Sequence, residues 1–354
     1  EFADKLRSVQ RMDLLDGISN KALEYFSQQE KSPSLLTFGN TEQNFKARFQ
    51  HAQTLSAMGE VAYSRAKYDE AQQAFSAGKL ILDQLYQQYP DNIDLLKTLG
   101  ANAFWLGQLA YEKSDFASAQ PLFELYRDYS EKMNKLEPDN VDSWMELAYA
   151  QSGLGALYFL INNYHDSKLA FENAMGLMQN ALVAQPNNNL IRTNLVDVYS
   201  WLATTEQHLG NLAHTLSLHQ QGQLDLELIL QDDVTNANTM ELLAYSHWHQ
   251  ARIQHFMGQF ANAAKQAEQA AQLMQTILKQ DSANELWQEQ YTSIQVLHIL
   301  LNAKAQQQKV DHSSQLNQIS AQFFKNENSR LEIPINIIKY YQYQEEWLKS
   351  KEII

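Results

Sequence analysis

The sequence has no cysteine, and it has only 6 prolines and 12 glycines among 354 residues. The absence of cysteine excludes disulfide frameworks, thiolate metal sites and thiol catalysis, but it suits cytosol and periplasm equally and leaves the compartment undetermined. So few turn-forming residues do not suffice for a multi-stranded β protein of this length, whereas long helices need little interruption. With 44% hydrophobic and 19% charged residues, the chain is predicted to be folded and all-α.

Basic residues are also scarce, because 27 Lys and Arg stand against 41 Asp and Glu and give a formal net charge of -14. Such a charge repels phosphate backbones and anionic lipid surfaces, so we expect no nucleic-acid partner. No apolar run approaches the roughly 18 residues of a membrane span, and we expect no membrane insertion of this region. The start from Glu1 to Asp4 has neither an initiator Met nor a signal-peptide core, which predicts a piece of a longer protein.

A repeat of 48 residues runs through the chain. Three tetrapeptides with a proline in second place follow one another at this interval: Tyr89-Pro90-Asp91-Asn92, Glu137-Pro138-Asp139-Asn140 and Gln185-Pro186-Asn187-Asn188. A small residue, which lets two helices approach closely, recurs in phase at Gly59, Gly107, Gly155, Ala203 and Ala251. An aromatic residue recurs farther along at Phe75, Phe123 and Phe171, and His219 and Ala267 replace it in the next two repeats.

These small, aromatic and alanine positions resemble the tetratricopeptide (TPR) repeat, a helix-turn-helix unit of about 34 residues. The resemblance predicts a right-handed α-solenoid of about five unusually long TPR-like helix pairs, with capping helices at both ends. Residues 1–40 are predicted to be N-terminal capping helices and a linker. The five repeats are predicted at 41–92, 93–140, 141–188, 189–236 and 237–285, and a degenerate sixth unit with C-terminal capping helices at 286–354.

The order of segments resembles a particular class of TPR protein. The segments from Arg11 to Asp16 and from Lys21 to Phe26, followed by long repeats containing Phe104-Trp105-Leu106-Gly107, are similar to C-terminal TPR regions of large bacterial signalling proteins. In such proteins a kinase, winged-helix or TIR effector precedes the repeats. The resemblance therefore implies a sensor or scaffold region, with any catalytic domain upstream of Glu1.

No catalytic motif is present: the sequence lacks a GxxxxGK[ST] phosphate loop, GxGxxG after a strand, GxSxG, HExxH and the kinase HRD and DFG motifs. We therefore predict that this region is not an enzyme. Histidines are concentrated in the fourth and fifth repeats, at His208, His214, His219, His247, His249 and His255. Their spacings are not the three or four residues that place two imidazoles on one helical face, so we predict no metal and no cofactor.

Stacked TPR units line their concave face with first-helix residues, and the repeat phase identifies those residues here. The predicted partner-binding groove comprises Tyr63, Phe104, Gln108, Tyr111, Tyr149, Ser152, Phe159, Asp197, Gln207, His208, Tyr245, Trp248, Arg252 and His255. Aromatic rings with polar tips suit recognition of a peptide or an amphipathic segment. Packing of the aromatic residues between neighbouring units is the alternative interpretation. Arg252 is the only Lys or Arg of this set, which disfavours a clamp for a terminal carboxylate.

Three functions remain open from the sequence. The favoured one is a binding module that recognises a protein or peptide in the groove and passes occupancy to an attached effector. The alternative is a small-molecule sensor whose aromatic and histidine residues form a pocket in repeats four and five. The third is an enzyme whose site the sequence does not reveal. The identity of the partner and the formation of a homodimer also remain open.

Overall fold

The computed structural model describes residues 41–306, 314, 316–319 and 332–343. In this part of the chain twelve helices have defined bounds, residues 314 and 316–319 are also helical, and no residue is in a strand, which confirms the all-α class. The predicted N-terminal capping helices lie outside the described residues. The helices are α1 (Thr41–Ser64), α2 (Tyr68–Gln88), α3 (Ile93–Glu112), α4 (Phe116–Leu136), α5 (Val141–Leu160), α6 (Tyr164–Ala184), α7 (Asn189–His208), α8 (Leu212–Asp232), α9 (Ala237–Phe256), α10 (Phe260–Leu278), α11 (Glu285–Gln306) and α12 (Glu332–Tyr343).

The chain forms two compact units, Glu1–Ala184 and Gln185–Ile354. In the first unit, α1 packs on α2, α3 on α4 and α5 on α6, while the α2–α3 and α4–α5 contacts join successive pairs. In the second unit, α7 packs on α8, α9 on α10 and α11 on α12, while the α8–α9 and α10–α11 contacts join them. This packing follows from the sequence pattern, because one helix pair of this kind cannot bury its apolar face alone.

Asparagines fix where α3, α5, α7, α9 and α11 begin, each the first helix of its pair. The Oδ1 atom of Asn92 accepts a hydrogen bond from the backbone N–H of Leu95 at 2.9 Å, and that of Asn236 accepts from Thr239 at 2.9 Å. Asn140, Asn188 and Asn284 do the same at intervals of 48 residues. A side-chain oxygen at this position satisfies an N–H group that has no partner within the helix, which favours a helix start there.

The small residue of each first helix contacts the second helix of the same pair. In the first unit, a methyl group added to Gly59 would lie 2.6 Å from ring atoms of Phe75. The same added group would lie 3.2 Å from the ring of Phe123 at Gly107, and 2.9 Å from that of Phe171 at Gly155. These rings are buried, so only glycine lets the two helices approach so closely around an aromatic side chain.

The turn between the two helices of each pair also repeats. One residue per turn has a positive φ angle, at 57° for Ala66, 57° for Ser114, 61° for Asn162, 84° for Gly210 and 75° for Gly258. The following N–H group bonds back to a carbonyl five residues earlier, as Lys67 does to Ala62 at 2.9 Å. This is the Schellman arrangement, which satisfies carbonyls at a helix C-terminus and favours glycine.

The last described helix covers α11. Ile333, Ile337, Tyr340 and Tyr341 of α12 share a buried apolar cluster with α11 side chains that include Val296 and Leu300. Helix α12 therefore buries one apolar side of α11. Across 41–306, 314, 316–319 and 332–343, no helix combines the length and the apolar character needed to cross a bilayer.

We expect Gly59→Ala to destabilise the protein relative to Gly176→Ala. Gly176 is also helical, but a methyl group there would meet nothing within 4 Å, so the substitution should only raise helix propensity. Forcing a methyl group against Phe75 should cost about 1–3 kcal/mol relative to this control, measured as the free energy of unfolding in urea. Phe75→Leu should recover part of the loss in the Gly59→Ala background, and equal stability of the two single variants would contradict the contact.

We expect substitutions at the positive-φ residue to act in opposite directions in the two units. Ala66→Gly should raise the free energy of unfolding by about 1 kcal/mol, because alanine is strained in the left-handed region and glycine is not. Gly210→Ala should lower it by about 1–2 kcal/mol, although the added methyl group meets nothing within 4 Å. Urea denaturation of both variants measures this, and changes of the same sign would argue against a conformational cause.

Candidate functional site

The predicted groove residues of the first unit all lie on first helices. Tyr63 is on α1, Phe104, Gln108 and Tyr111 are on α3, and Tyr149, Ser152 and Phe159 are on α5. Every one of these side chains is at least partly exposed. Tyr149 is 36% exposed although its neighbours Ala148 and Ala150 are fully buried, so a bulky ring lies on the accessible side of α5. We refer to these seven residues as the unit-1 face.

A carboxylate that the sequence analysis did not select joins two first helices at the unit-1 face. The hydroxyl of Tyr63 donates a hydrogen bond to Glu112 Oε1 at 2.6 Å, and Gln108 Nε2 donates to the same oxygen at 3.2 Å. Burial, followed by the bond to Glu112, raises the pKa of Tyr63 to about 12, so its phenol remains a donor at neutral pH. Glu112 directly follows Tyr111, and the repeat positions that predict the groove include Tyr111 but not Glu112.

Phe104 behaves differently from its neighbours on this face. Its ring centroid lies 5.2 Å from that of Trp105, 5.9 Å from that of Phe123 and 6.0 Å from that of Tyr126. These distances are typical of aromatic packing between helices. Phe104 therefore supports the α3–α4 and α4–α5 contacts more than it offers a surface to a partner.

In the second unit, the predicted residues on α7 are accessible. Asp197, Gln207 and His208 are exposed, whereas Val196 and Val198 beside Asp197 are buried. The protein atoms around Asp197 nevertheless desolvate its carboxyl group and raise its pKa.

The predicted residues on α9 are more enclosed. Trp248 is only 9% exposed, and the guanidinium carbon of Arg252 lies 4.7 Å from the centroid of its ring. The buried Trp248 therefore supports Arg252 and does not itself form an open surface. Tyr245 is partly exposed, and its hydroxyl accepts a hydrogen bond from Gln290 of α11.

A cation outside the predicted set lies beside His255. The Nζ atom of Lys304 on α11 donates a hydrogen bond to His255 Nε2 at 2.9 Å. Burial is the main cause that lowers the pKa of His255 to about 4, and Lys304 and Lys339 lower it further. Lys304 lies in the degenerate sixth unit, whereas the groove was predicted only from repeat positions of the first five units.

Comparisons with known proteins address the fold. No protein-family model and no curated protein matches the chain. The structure of RapI without ligand is similar at 11% identity, over 85% of this chain and 94% of that chain, with a TM-score of 0.51. The chain has a TPR-like fold. Aspartyl phosphate phosphatase F from Bacillus subtilis is similar at 12% identity, over 94% of this chain and 77% of that chain, with a TM-score of 0.50.

A TPR protein from Thermus thermophilus is also similar to this TPR-like chain, at 16% identity over 69% of this chain and 99% of that chain, with a TM-score of 0.35. The likeness to RapI and to aspartyl phosphate phosphatase F, at 11% and 12% identity, shows the fold alone and nothing about activity.

The histidines of the TPR-like repeats do not converge on one point. The rings of His219 and His249 stack with centroids 4.8 Å apart, while His214 contacts the buried Glu206 at 2.9 Å. His255 contacts Lys304 instead. No group of three or more His, Cys, Asp or Glu side chains suited to a metal ion occurs in the described part of the chain. The buried His219 and the partly exposed His249 are therefore interpreted as part of the packing between α8 and α9.

We expect His219→Gln to weaken the acid sensitivity of the protein. Burial, and then His249, lower the pKa of His219 to about 3, whereas an unfolded histidine titrates near 6.5. Between these pH values the unfolded state binds more protons, so stability falls as the pH drops, by roughly 1.4 kcal/mol per pH unit. The slope of unfolding free energy against pH below 6.5 should therefore be smaller in His219→Gln. Exposed His165→Gln is the control, and an unchanged slope in His219→Gln would contradict the burial.

Proposed function

We propose that this chain is a non-catalytic protein-interaction scaffold that binds a protein or peptide segment along its first helices. The observation that carries the proposal is the accessible stripe on those helices. Tyr149 and Asp197 occupy the same repeat position, and both are exposed between residues that are buried. Within each unit taken by itself, an accessible position on first helices that their partners hold in place offers a preorganised surface to an extended or helical segment.

The side chains of the unit-1 face suit such recognition. Tyr63 and Tyr111 present aromatic rings whose burial raises the pKa of both phenols, so both remain hydrogen-bond donors at neutral pH. The Glu112 carboxylate lies beside them and can accept further hydrogen bonds through its second oxygen. Rigid rings bury area with little loss of side-chain entropy, and a carboxylate favours a partner that brings a Lys, an Arg or a backbone N–H.

We also propose that this chain is not catalytic and that it is a sensor region of a bacterial signalling protein. Gln108 and Tyr63 of the unit-1 face both bond to the adjacent Glu112, and the Tyr63 bond holds α1 beside α3. Together with the lack of a catalytic motif, this favours binding over turnover, although one protein of similar fold is named a phosphatase. The resemblance to C-terminal regions of bacterial signalling proteins supports a sensor role, and the sequence that precedes Glu1 in the gene tests it.

A second candidate is a small-molecule sensor in the fourth and fifth repeats. It is favoured by three buried polar atoms of α9 that have no hydrogen-bond partner in the structure: Trp248 Nε1, Gln250 Oε1 and Gln254 Oε1. Buried polar atoms are normally satisfied, so a ligand or water there would gain bonds. A thermal-shift screen distinguishes this candidate, because a saturating ligand should raise the melting temperature of wild type but not of Gln254→Leu.

The scaffold proposal predicts that the double variant Tyr111→Ala/Tyr149→Ala weakens peptide binding by the first unit. Peptides are selected on the wild-type protein from a random twelve-residue display library, and dissociation constants are then measured by fluorescence anisotropy. We expect at least a tenfold loss of affinity in the double variant, which corresponds to about 1.4 kcal/mol.

The matched control is Leu80→Ala/Leu169→Ala. These leucines are 66% and 57% exposed on second helices of the same unit, so the control removes apolar surface away from the unit-1 face. Selected peptides should bind it like wild type. An unchanged affinity in the tyrosine variant, or an equal loss in the leucine variant, would refute the assignment of the binding face.

A further inference from the structure

The Glu112 carboxylate at the end of α3 is held in one position although the residue is exposed. Its Oε1 atom accepts a hydrogen bond from the hydroxyl of Tyr63 on α1 at 2.6 Å and another from Gln108 Nε2 at 3.2 Å. An exposed glutamate ordinarily loses side-chain entropy when it binds a partner, but these two bonds have already restricted Glu112. Both bonds use the same oxygen, and within the described residues none uses Oε2, which can therefore accept from a partner.

Partly exposed aromatic rings lie beside this carboxylate. The ring centroid of Tyr63 lies 5.1 Å from that of Trp105 and 5.6 Å from that of Tyr68. Tyr111 directly precedes Glu112; burial raises the pKa of its phenol, and the charge of Glu112 raises it further. The faces of aromatic rings attract cations, and this attraction adds to that of a carboxylate. We call Tyr63, Tyr111 and Glu112 the Glu112 site, which suits a cation that has flat or apolar parts.

The protein does not neutralise the charge of Glu112 itself. Among the residues that the structure describes, no lysine or arginine forms an ion pair with Glu112. Lys113 follows it in the chain without pairing with it, and Lys67 in the turn between α1 and α2 pairs instead with Glu70 at 3.0 Å. Residues 41–184 contain 18 Asp and Glu against 11 Lys and Arg, so the potential around this part of the chain also attracts cations. A partner can therefore supply the positive group that the Glu112 site lacks.

The next repeat shows that helix stacking does not need a carboxylate at this position. There, Tyr111 and Leu160 stand 48 residues after Tyr63 and Glu112. Leu160 is 40% exposed, and its side chain has no oxygen that could accept a bond from Tyr111. The helices of that repeat nevertheless pack in the same order, with α3 on α4 and α5 on α6. This difference favours a role of Glu112 in recognition rather than in the fold.

We propose that the Glu112 site binds the guanidinium group of an arginine in the segment that the scaffold recognises. The inference rests on the proposed function, because it names one residue of a partner that binds the unit-1 face. A guanidinium group is flat and has five N–H donors, so it can lie on a tyrosine ring while it donates to Glu112 Oε2. The ammonium group of a lysine is more strongly hydrated and cannot stack in this way, so arginine is favoured over lysine.

The test uses the display-selected peptides whose binding the Tyr111→Ala/Tyr149→Ala variant weakens. We expect each of them to contain an arginine. Every arginine is replaced in turn by citrulline, which keeps the shape of the side chain and removes its charge, and dissociation constants are measured by fluorescence anisotropy at constant ionic strength. One citrulline replacement should weaken binding to wild type about tenfold, and Glu112→Gln should weaken binding of the unmodified peptide by a similar factor. The two changes together should cost no more than either alone, because they remove the same contact.

Two controls separate recognition from folding and from general attraction. Glu112→Gln keeps a side-chain oxygen that can accept from Tyr63, so its melting temperature should stay close to that of wild type. The citrulline peptides change nothing in the protein, so a folding defect cannot imitate their effect. Glu172→Gln removes a carboxylate on α6, whose side chain is 37% exposed, and should bind the peptides like wild type.

The outcomes distinguish this inference from the proposed function. Peptides that need Tyr111 and Tyr149 but contain no arginine would overturn the inference and leave the scaffold proposal standing, and so would additive losses from citrulline and Glu112→Gln. Equal losses in Glu112→Gln and Glu172→Gln would also overturn it, because they would show attraction to the charge of the whole unit. If no selected peptide depends on Tyr111 and Tyr149, the scaffold proposal fails and the inference fails with it.

Discussion

The contact between a glycine of one helix and a phenylalanine ring of the next is the constraint on which the first unit depends. At Gly59, Gly107 and Gly155 the missing side chain leaves space that the ring of the paired helix fills completely. Three consecutive pairs therefore use the same glycine–phenylalanine contact. Equal pairs stack in a regular row, and a regular row brings the same position of every first helix to the same side of the unit.

The second unit solves the same packing problem with different side chains. Alanine replaces the glycine at Ala203 and Ala251, and the partner positions hold His219 and Ala267. A polar or a smaller side chain thus stands at the position where the first unit has a phenylalanine ring. The buried His219 stacks on the partly exposed His249, and desolvation lowers the pKa of both rings. Such a lowered pKa makes the stability of the second unit depend on pH.

The two units also differ in the charge beside their first helices. In the first unit, the Glu112 carboxylate bonds to Tyr63 and Gln108 on the accessible side. In the second unit, the Lys304 ammonium group donates a hydrogen bond to His255. The first unit therefore has a carboxylate beside its first helices, and the second unit has a cation there. Neither arrangement follows from the net charge of the chain, because the charge at each place depends on local groups.

The sequence alone determined the helix-pair fold, because its signals are local and repeat. A proline and an asparagine every 48 residues mark the start of first helices, and the spacing of Gly59, Gly107 and Gly155 marks where helices touch. Only the tertiary structure decided which side chains of the predicted groove are accessible. Trp248 follows the repeat phase but is buried, and Lys304 departs from it but reaches His255. The physical reason is that repeat phase fixes the direction of a side chain on its own helix, while burial and charge at a site depend on what distant segments place against it.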